Sequence, residues 1–278
     1  MKVAVASGKG GTGKTTVATN LALSLPKCQF FDCDVEEPNA NLFLKVQSLD
    51  KEPVQQKVPK IDEQHCTHCG KCASFCQFNA LAVVPEKTLV FPELCHSCGG
   101  CQLVCPEDVI TWEERSIGYI EHGQIDQLDF YQGVLHIGES MASPVIRSLK
   151  KQMNPATNVI LDAPPGTACS LRETLHDVDF VLLVTEPTPF GFHDLKLTIE
   201  VTRHLNLPFG VVINKDGIGD DAVEQYCIEE QIPLLLKIPH SERIAQLYSN
   251  GITLVEGDVT WSQRFQQLWQ QMKEVASQ

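Results

Sequence analysis

The chain has 278 residues, of which 43% are hydrophobic and 21% charged, and its formal net charge is −13 with a pI of about 5.1. This composition excludes a disordered chain, and the acidic balance is a poor match for nucleic acid or for an anionic membrane surface. No apolar run approaches the roughly 20 residues that cross a bilayer, and the N-terminus does not read as a signal peptide. We therefore expect a cytoplasmic protein that binds no nucleic acid and inserts into no membrane.

The first predicted elements are a strand, a glycine-rich loop and a helix. The run KVAVA at 2–6 is apolar, and GKGGTGKTT at 8–16 follows it with the phosphate-loop pattern G-x-x-x-x-G-K-[ST]. Backbone N–H groups and the helix N-terminus hold phosphates in such a loop, Lys14 reaches them, and Thr15 ligates Mg²⁺. The residues predicted to bind the nucleotide are Gly8, Gly10, Gly11, Thr12, Gly13, Lys14, Thr15 and Thr16.

Further apolar runs alternate with helical patterns along the chain. They lie at 29–32, 133–137, 158–162, 180–184, 209–214 and 233–238. Such alternation predicts an α/β fold with a mostly parallel, twisted sheet flanked by helices. The last segment, 259–278, predicts an amphipathic helix, and its low content of Lys and Arg favours packing on its own sheet or on a partner over a membrane.

Acidic residues follow two of these predicted strands. Asp32 and Asp34 come at the end of the second, and Asp162 ends the fourth and precedes a Pro-Pro-Gly turn. The carboxyl ends of parallel strands border the ligand crevice of such sheets. Acids there can hold Mg²⁺ or orient an attacking water. A loop cap or turn former is the alternative, and it has more weight for Asp32 than for the other two.

Eight of the twelve cysteines form an internal repeat. The spacing C-x2-C-x2-C-x3-C occurs twice, with each cysteine of the second copy 29 residues after its match in the first. The two copies are Cys66, Cys69, Cys72 and Cys76, then Cys95, Cys98, Cys101 and Cys105. The surrounding segment has little helical periodicity, whereas the sequence on either side of it shows the alternating strand and helix patterns of an α/β fold. We therefore predict an insert at 59–115 within a discontinuous nucleotide-binding domain at 1–58 and 116–278.

The double cysteine pattern resembles that of bacterial two-cluster ferredoxins. In that arrangement the fourth cysteine of each run ligates the other cluster. The resemblance implies two 4Fe–4S clusters, one held by Cys66, Cys69, Cys72 and Cys105, the other by Cys95, Cys98, Cys101 and Cys76. Paired C-x2-C motifs also bind zinc, which is the less favoured alternative.

The segments KGGTGKTT, DCDVEEPN, DAPPGT, VVINK and IPHSERIAQLYSNG together resemble the ATPase superfamily that includes MinD, ParA, the Mrp-type iron–sulfur carriers and the nitrogenase iron protein. The resemblance implies that ATP is sandwiched between two subunits, in a homodimer or a heterodimer with a paralogue. It makes Lys9 the lysine that reaches the partner's nucleotide, Asp34 the water-orienting acid and Asp162 the switch-II acid. Asn214 and the backbone near Pro239 would contact adenine.

The combination predicts an ATPase whose ATP-dependent dimer couples nucleotide state to electron transfer through the clusters, with a redox partner protein that the sequence does not identify. Two alternatives stay open, namely an iron–sulfur cluster carrier and a MinD- or ParA-like spatial organiser with structural clusters. Cys169 follows Asp162 by seven residues, a spacing similar to that of a cluster ligand in the nitrogenase iron protein. A small packing residue is the favoured interpretation of this thiol.

Overall fold

A computed structural model describes residues 1–47 and 49–277. Its strands are β1 Lys2–Ala6, β2 Cys28–Asp32, β3 Asp50–Ile61, β4 Leu81–Val84, β5 Lys87–Val90, β6 Ile110–Ile125, β7 Leu128–Leu135, β8 Asn158–Asp162, β9 Phe180–Thr185, β10 Phe209–Asp216 and β11 Leu234–Pro239. Its helices are α1 Lys14–Leu23, α2 Ala40–Leu44, α3 Lys71–Phe75, α4 Gly100–Leu103, α5 Ser143–Lys150, α6 Cys169–Leu175, α7 Pro189–His204, α8 Ala222–Glu229, α9 Glu242–Ser249, α10 Leu254–Gly257 and α11 Val259–Ala276. A 3-10 helix covers Pro92–Leu94.

Nine strands form one sheet in the order β11-β10-β9-β1-β8-β2-β7-β6-β3. The pairs from β11 to β7 are parallel, and only β7–β6 and β6–β3 are antiparallel. Because successive side chains of a strand alternate between faces, Ile160 packs into one apolar layer and Leu161 into the other. The predicted α/β fold with a mostly parallel sheet between helices is confirmed.

The sequence patterns do not predict β3 and β6, the two antiparallel strands at one end of the sheet. In β3, the segment DKEPVQQKVPKI buries Val54, Gln56 and Val58 but exposes much of the rest, so it lacks the continuous apolar run of a central strand. The sequence pattern predicts a strand at 133–137, whereas the observed strand β7 starts earlier, at Leu128, and ends at Leu135.

The C-terminal helix α11 packs on its own domain. It contacts α1, β10 and β11, and its buried face consists of Trp261, Phe265, Leu268, Trp269 and Met272. Of the two alternatives predicted from the sequence, its own sheet or a partner, the helix packs on its own sheet. Among the described residues, none of the helices combines the length and the apolar character that a membrane crossing requires.

Between Ile61 and Ile110 the chain leaves the large sheet. This segment contains the β4–β5 hairpin, the short helices α3 and α4 and the 3-10 helix. Ile61 pairs directly with Ile110, so the segment lies at the tip of the antiparallel ribbon formed by β3 and β6. Residues 59–61 and 110–115, which the sequence placed in the insert, belong to these two strands. We use the term cysteine-rich insert for residues 62–109.

Candidate nucleotide site and cysteine-rich insert

The glycine-rich loop connects β1 to α1 as predicted from its sequence, and two of its glycines are required by close contacts. A Cβ on Gly13 would lie 2.1 Å from Asn214 Nδ2, and Gly13 has a φ of +91°. A Cβ on Gly8 would lie 2.3 Å from the carbonyl oxygen of Asp194. Asn214 Nδ2 donates a 2.8 Å hydrogen bond to the carbonyl of Thr12. The end of β10 therefore braces the loop from behind.

Lys14 lies among the acids that the sequence singled out. Its Nζ is 2.8 Å from Asp162 Oδ1 and 4.0 Å from Asp34 Oδ2. Burial alone lowers the pKa of Lys14, but the charge of Asp162, its hydrogen bond and the charges of Asp32 and Asp34 outweigh burial and raise it. Lys14 is therefore a protonated, buried cation, suited to phosphate oxygens.

Asp32 organises the loop after β2. Its carboxylate accepts hydrogen bonds from the backbone N–H groups of Asp34 at 3.1 Å and of Asn39 and Ala40 at 3.0 Å. Asp32 therefore caps the backbone of this loop, which is the alternative considered for it from the sequence. Asp34 instead faces the loop cavity, and burial raises its pKa to about 6 although Lys14 opposes the shift.

Lys9 is held within its own chain. Its Nζ lies 2.5 Å from Glu186 Oε1, while Lys215 Nζ lies 2.9 Å from Glu186 Oε2 and donates to the carbonyl of Gly11. Burial works against ionisation of Glu186, but hydrogen bonds from the two lysines keep its pKa below the ordinary value. Sequence reasoning missed Glu186. The available signal was its position directly after β9, the same strand-end position that drew attention to Asp32 and Asp162.

A cavity of about 420 Å³ extends from the glycine-rich loop to α9. Its volume is in the range of small-molecule and cofactor sites. At the far end, the rings of Phe43 and Tyr248 approach to 5.1 Å between centroids and form an apolar wall. Of the residues predicted to bind nucleotide, those lining the cavity are Lys9, Gly10, Gly11, Gly13, Lys14, Thr15, Thr16, Asp34, Asn214 and Pro239. Gly8 and Thr12 contribute instead to the support of the loop.

Oxygen ligands suitable for Mg²⁺ are present beside this cavity. Thr15 lines it with a hydroxyl, and Asp162 carries a buried carboxylate oxygen, Oδ2, that has no hydrogen-bond partner among the described residues. Hard cations such as Mg²⁺ prefer oxygen ligands and retain several waters. The residues present therefore fit the ion that a bound nucleoside triphosphate would bring.

The cysteines of the insert gather around two separate cavities. Cys66, Cys69, Cys72 and Cys105 line the first, and Cys76, Cys95, Cys98 and Cys101 line the second. In each group, the fourth cysteine of one run joins three cysteines of the other run. The donor set, four thiols per cavity, is the set that 4Fe–4S clusters use.

The thiols of the insert would release protons on binding metal. Burial raises the pKa of Cys101 to about 11 and also raises the pKa of Cys72 and Cys95. Metal ligation requires the thiolate, so binding and proton release are linked. A mixed group also exists, since ligand atoms of Glu63, Cys66 and His68 lie within 4.8 Å of one another. This group differs from the zinc alternative considered for the sequence, which rests on the paired C-x2-C motifs.

Cys169 is exposed, in contrast to the packing residue favoured from the sequence. It begins α6 and lines a cleft of about 860 Å³ together with His96, which neighbours Cys95 in the insert. Cys28, Cys33 and Cys227 are buried. Burial raises the pKa of Cys227 to about 11, as expected for thiols that only pack.

The sheet order, the loop between β1 and α1 and the acids at the strand ends define a P-loop nucleotide-binding protein of the α/β class. The chain belongs to the CobQ/CobB/MinD/ParA nucleotide-binding domain family (CbiA), whose sequence profile matches residues 3–255.

Several known proteins are similar over nearly the full chain. An uncharacterized protein of Methanocaldococcus jannaschii is 34% identical over 261 residues, which is 90% of each chain. The iron-sulfur cluster carrier protein of Pyrococcus abyssi is 26% identical over 296 residues, covering 96% of this chain and 83% of the carrier. The cell division ATPase MinD of Pyrococcus furiosus has a similar fold, with a TM-score of 0.60, 20% identity and 98% of each chain covered.

Proposed function

We propose that the protein hydrolyses ATP as an ATP-dependent dimer and that its nucleotide state is coupled to electron transfer through two 4Fe–4S clusters in the cysteine-rich insert. The observation that carries this proposal is the coexistence of two sites in one chain. One is a P-loop in which Lys14 forms an ion pair with Asp162. The other is a pair of cavities, each lined by four thiols.

In the proposed reaction, Lys14 and the loop N–H groups hold the phosphates, and Thr15 and Asp162 hold Mg²⁺ directly or through water. Asp34 lines the same cavity and orients the attacking water. Lys9 leaves Glu186 and reaches the nucleotide of a second subunit. A cation supplied in trans stabilises the transferring phosphoryl group only in the dimer, so hydrolysis depends on association.

The clusters would supply one-electron redox chemistry in the insert. The contribution of the chain is to hold them with two sets of thiols and to keep the second set beside the cleft that contains Cys169. An oxidised or reduced partner protein is required to complete the electron transfer.

A carrier of iron–sulfur clusters is the second candidate. It is favoured by the similarity to the Pyrococcus abyssi carrier protein across most of both chains. Here the clusters would be the cargo, and ATP would control their release.

The deciding experiment is the steady-state ATPase rate of anaerobically purified protein, with the insert oxidised and then reduced by dithionite. Coupling predicts rates that differ several-fold between the two states. Equal rates, together with transfer of iron and sulfide to an apo-acceptor protein, would favour the carrier instead.

The cluster assignment has its own test in paired variants. We expect about eight irons and eight sulfides per chain, with half lost in Cys105→Ser and the other half in Cys76→Ser. Cys169→Ser is the matched control and should keep all of them. Zinc without sulfide in the purified protein would instead support the zinc alternative for the paired C-x2-C motifs.

A further inference from the structure

The helix α5 begins next to the cysteine-rich insert. Just before it, Ser140 Oγ donates a 2.9 Å hydrogen bond to the carbonyl of Glu93, in the 3-10 helix that precedes Cys95. Arg115 donates to Glu139 at 2.9 Å and lies 3.6 Å from the Glu93 carboxylate. The turn that leads into α5 is therefore fixed to the segment that carries a predicted cluster ligand.

The other end of α5 is fixed to the C-terminus of α6. Lys150 Nζ donates to the carbonyls of Glu173 at 2.8 Å and Thr174 at 3.0 Å, and also to that of His176. Arg147 forms two hydrogen bonds with the Glu173 carboxylate, at 2.7 and 3.2 Å. The last carbonyls of a helix lack partners within it and carry partial negative charge, so these two cations stabilise the end of α6.

The helix α6 continues directly from the nucleotide site. The chain runs from Asp162, which is bonded to Lys14, through the Pro-Pro-Gly turn to the start of α6 at Cys169. Cys169 and His96 of the insert both line the 860 Å³ cleft. Residues of α5 line the same cleft, and the two ends of this helix are bonded to the insert and to α6.

The packing of α5 suits a rigid connection. Val145, Ile146 and Leu149 have no exposed surface and pack into the apolar layer that also contains Leu171 and Leu175 of α6. A helix of eight residues is about 12 Å long and keeps its shape when it shifts. Displacement at the 139–140 end therefore moves the cations that hold the end of α6.

We propose that α5 transmits the state of the cysteine-rich insert to the switch-II segment between Asp162 and His176. The proposal rests on the proposed function, because that function places metal in the insert and ATP at Lys14. It adds the physical connection between the two sites. Ordering of the loop around Cys95 holds the 139–140 turn, and α5 then holds α6 in one position. In such a coupling, both sites bias the equilibrium between two positions of the same element.

Hydrogen–deuterium exchange of peptides covering residues 169–176 tests this connection without catalysis. The variant Ser140→Ala/Arg115→Gln removes the bonds at the insert end of α5, about one helix length from α6. We expect exchange in 169–176 to become several-fold faster than in the wild type. We also expect that loading with iron and sulfide slows this exchange in the wild type and much less in the variant.

Thr111→Val is the matched control, because it removes a hydroxyl-to-carbonyl hydrogen bond to Lys60 in the ribbon beneath the insert and does not involve α5. It should leave exchange in 169–176 as in the wild type. Unchanged exchange in the double variant, or an equal acceleration in Thr111→Val, would overturn the proposal. Loaded wild-type protein that shows the exchange response but no ATP hydrolysis would refute the proposed function and leave the connection through α5 standing.

Discussion

Glu186 neutralises two lysines beside the glycine-rich loop, and this has a measurable consequence for Lys9. Only part of the Lys9 side chain is exposed, and in the proposed dimer its contact with Glu186 must break before Lys9 reaches the second subunit. Partly exposed ion pairs contribute up to about 1 kcal/mol. For Glu186→Gln we therefore expect ATP-dependent dimerisation at about 2–5-fold lower ATP concentration, measured by light scattering.

The surface pair of Arg203 and Glu230 provides the control for this prediction. Glu230→Gln removes a similar charge away from the nucleotide cavity and should leave the ATP requirement unchanged. If Glu186→Gln raises the ATP requirement, Glu186 supports the dimer and does not restrain Lys9.

Asp34 gives the nucleotide-free protein a distinct pH dependence. Burial raises its pKa to about 6, so ionisation of Asp34 costs stability as the pH rises from about 4 through 6. Asn mimics the protonated form. We expect Asp34→Asn to unfold about 2–6 °C above the wild type at pH 7.5, with a gap that closes near pH 4.

The same variant should bind ATP but hydrolyse it at least about 100-fold more slowly, because the proposed water-orienting group is lost. Calorimetric scans across the pH range and a phosphate-release assay measure the two effects separately. A constant difference in melting temperature at all pH values would contradict the raised pKa of Asp34.

At the residue level, the predictable features were those with a local signature. The loop pattern and the acids at strand ends placed Lys14, Asp34 and Asp162, which the structure brings together. The bond between Lys9 and Glu186 joins positions 177 residues apart, and no local pattern contains such information. The exposure of Cys169 likewise depends on the cleft formed by distant segments.

At the level of elements, α11 closes one face of the sheet, and its contribution can be measured with one substitution. Leu268 is 1% exposed and packs with residues of α1. Truncating a fully buried Leu removes contacts and leaves a cavity, at a cost of about 2–5 kcal/mol. We expect Leu268→Ala to lower the free energy of unfolding by this amount in urea titrations.

Gln267→Ala is the adjacent control, since Gln267 is exposed on the same helix. It should change stability by less than about 0.5 kcal/mol. A comparable loss in both variants would contradict the assignment of the Leu268→Ala effect to the buried face of α11, because Ala is at least as good a helix former as Leu or Gln.

Periodicity predicted the central strands and α11 well because these elements bury continuous or regularly spaced apolar residues. It missed β3 and β6, which pair with each other through alternating and largely polar residues at the sheet edge. These segments form strands because they pair with each other, and the sequence of one segment does not indicate which other segment it pairs with.

At the level of the whole molecule, nucleotide binding and dimerisation are expected to depend on different lysines. Lys14→Ala should lose nucleotide binding, because it removes the buried cation at Asp162. Lys9→Ala should keep the affinity for nucleotide within a few-fold but lose the ATP-dependent dimer and at least about 100-fold in hydrolysis rate. Isothermal titration, light scattering and phosphate release distinguish the two variants. Dimers of Lys9→Ala with wild-type turnover would contradict the role in trans.

The position of the cysteine-rich insert bears on how such a chain could arise. The insert leaves and returns at the paired residues Ile61 and Ile110, so its two ends are held together by the ribbon itself. Lengthening a loop between ends that are already fixed costs little entropy, since the cost grows only with the logarithm of the loop length. A gene encoding the nucleotide-binding fold could therefore acquire a cysteine-rich module in a single insertion at a hairpin turn, with the order of the strands in the large sheet left intact.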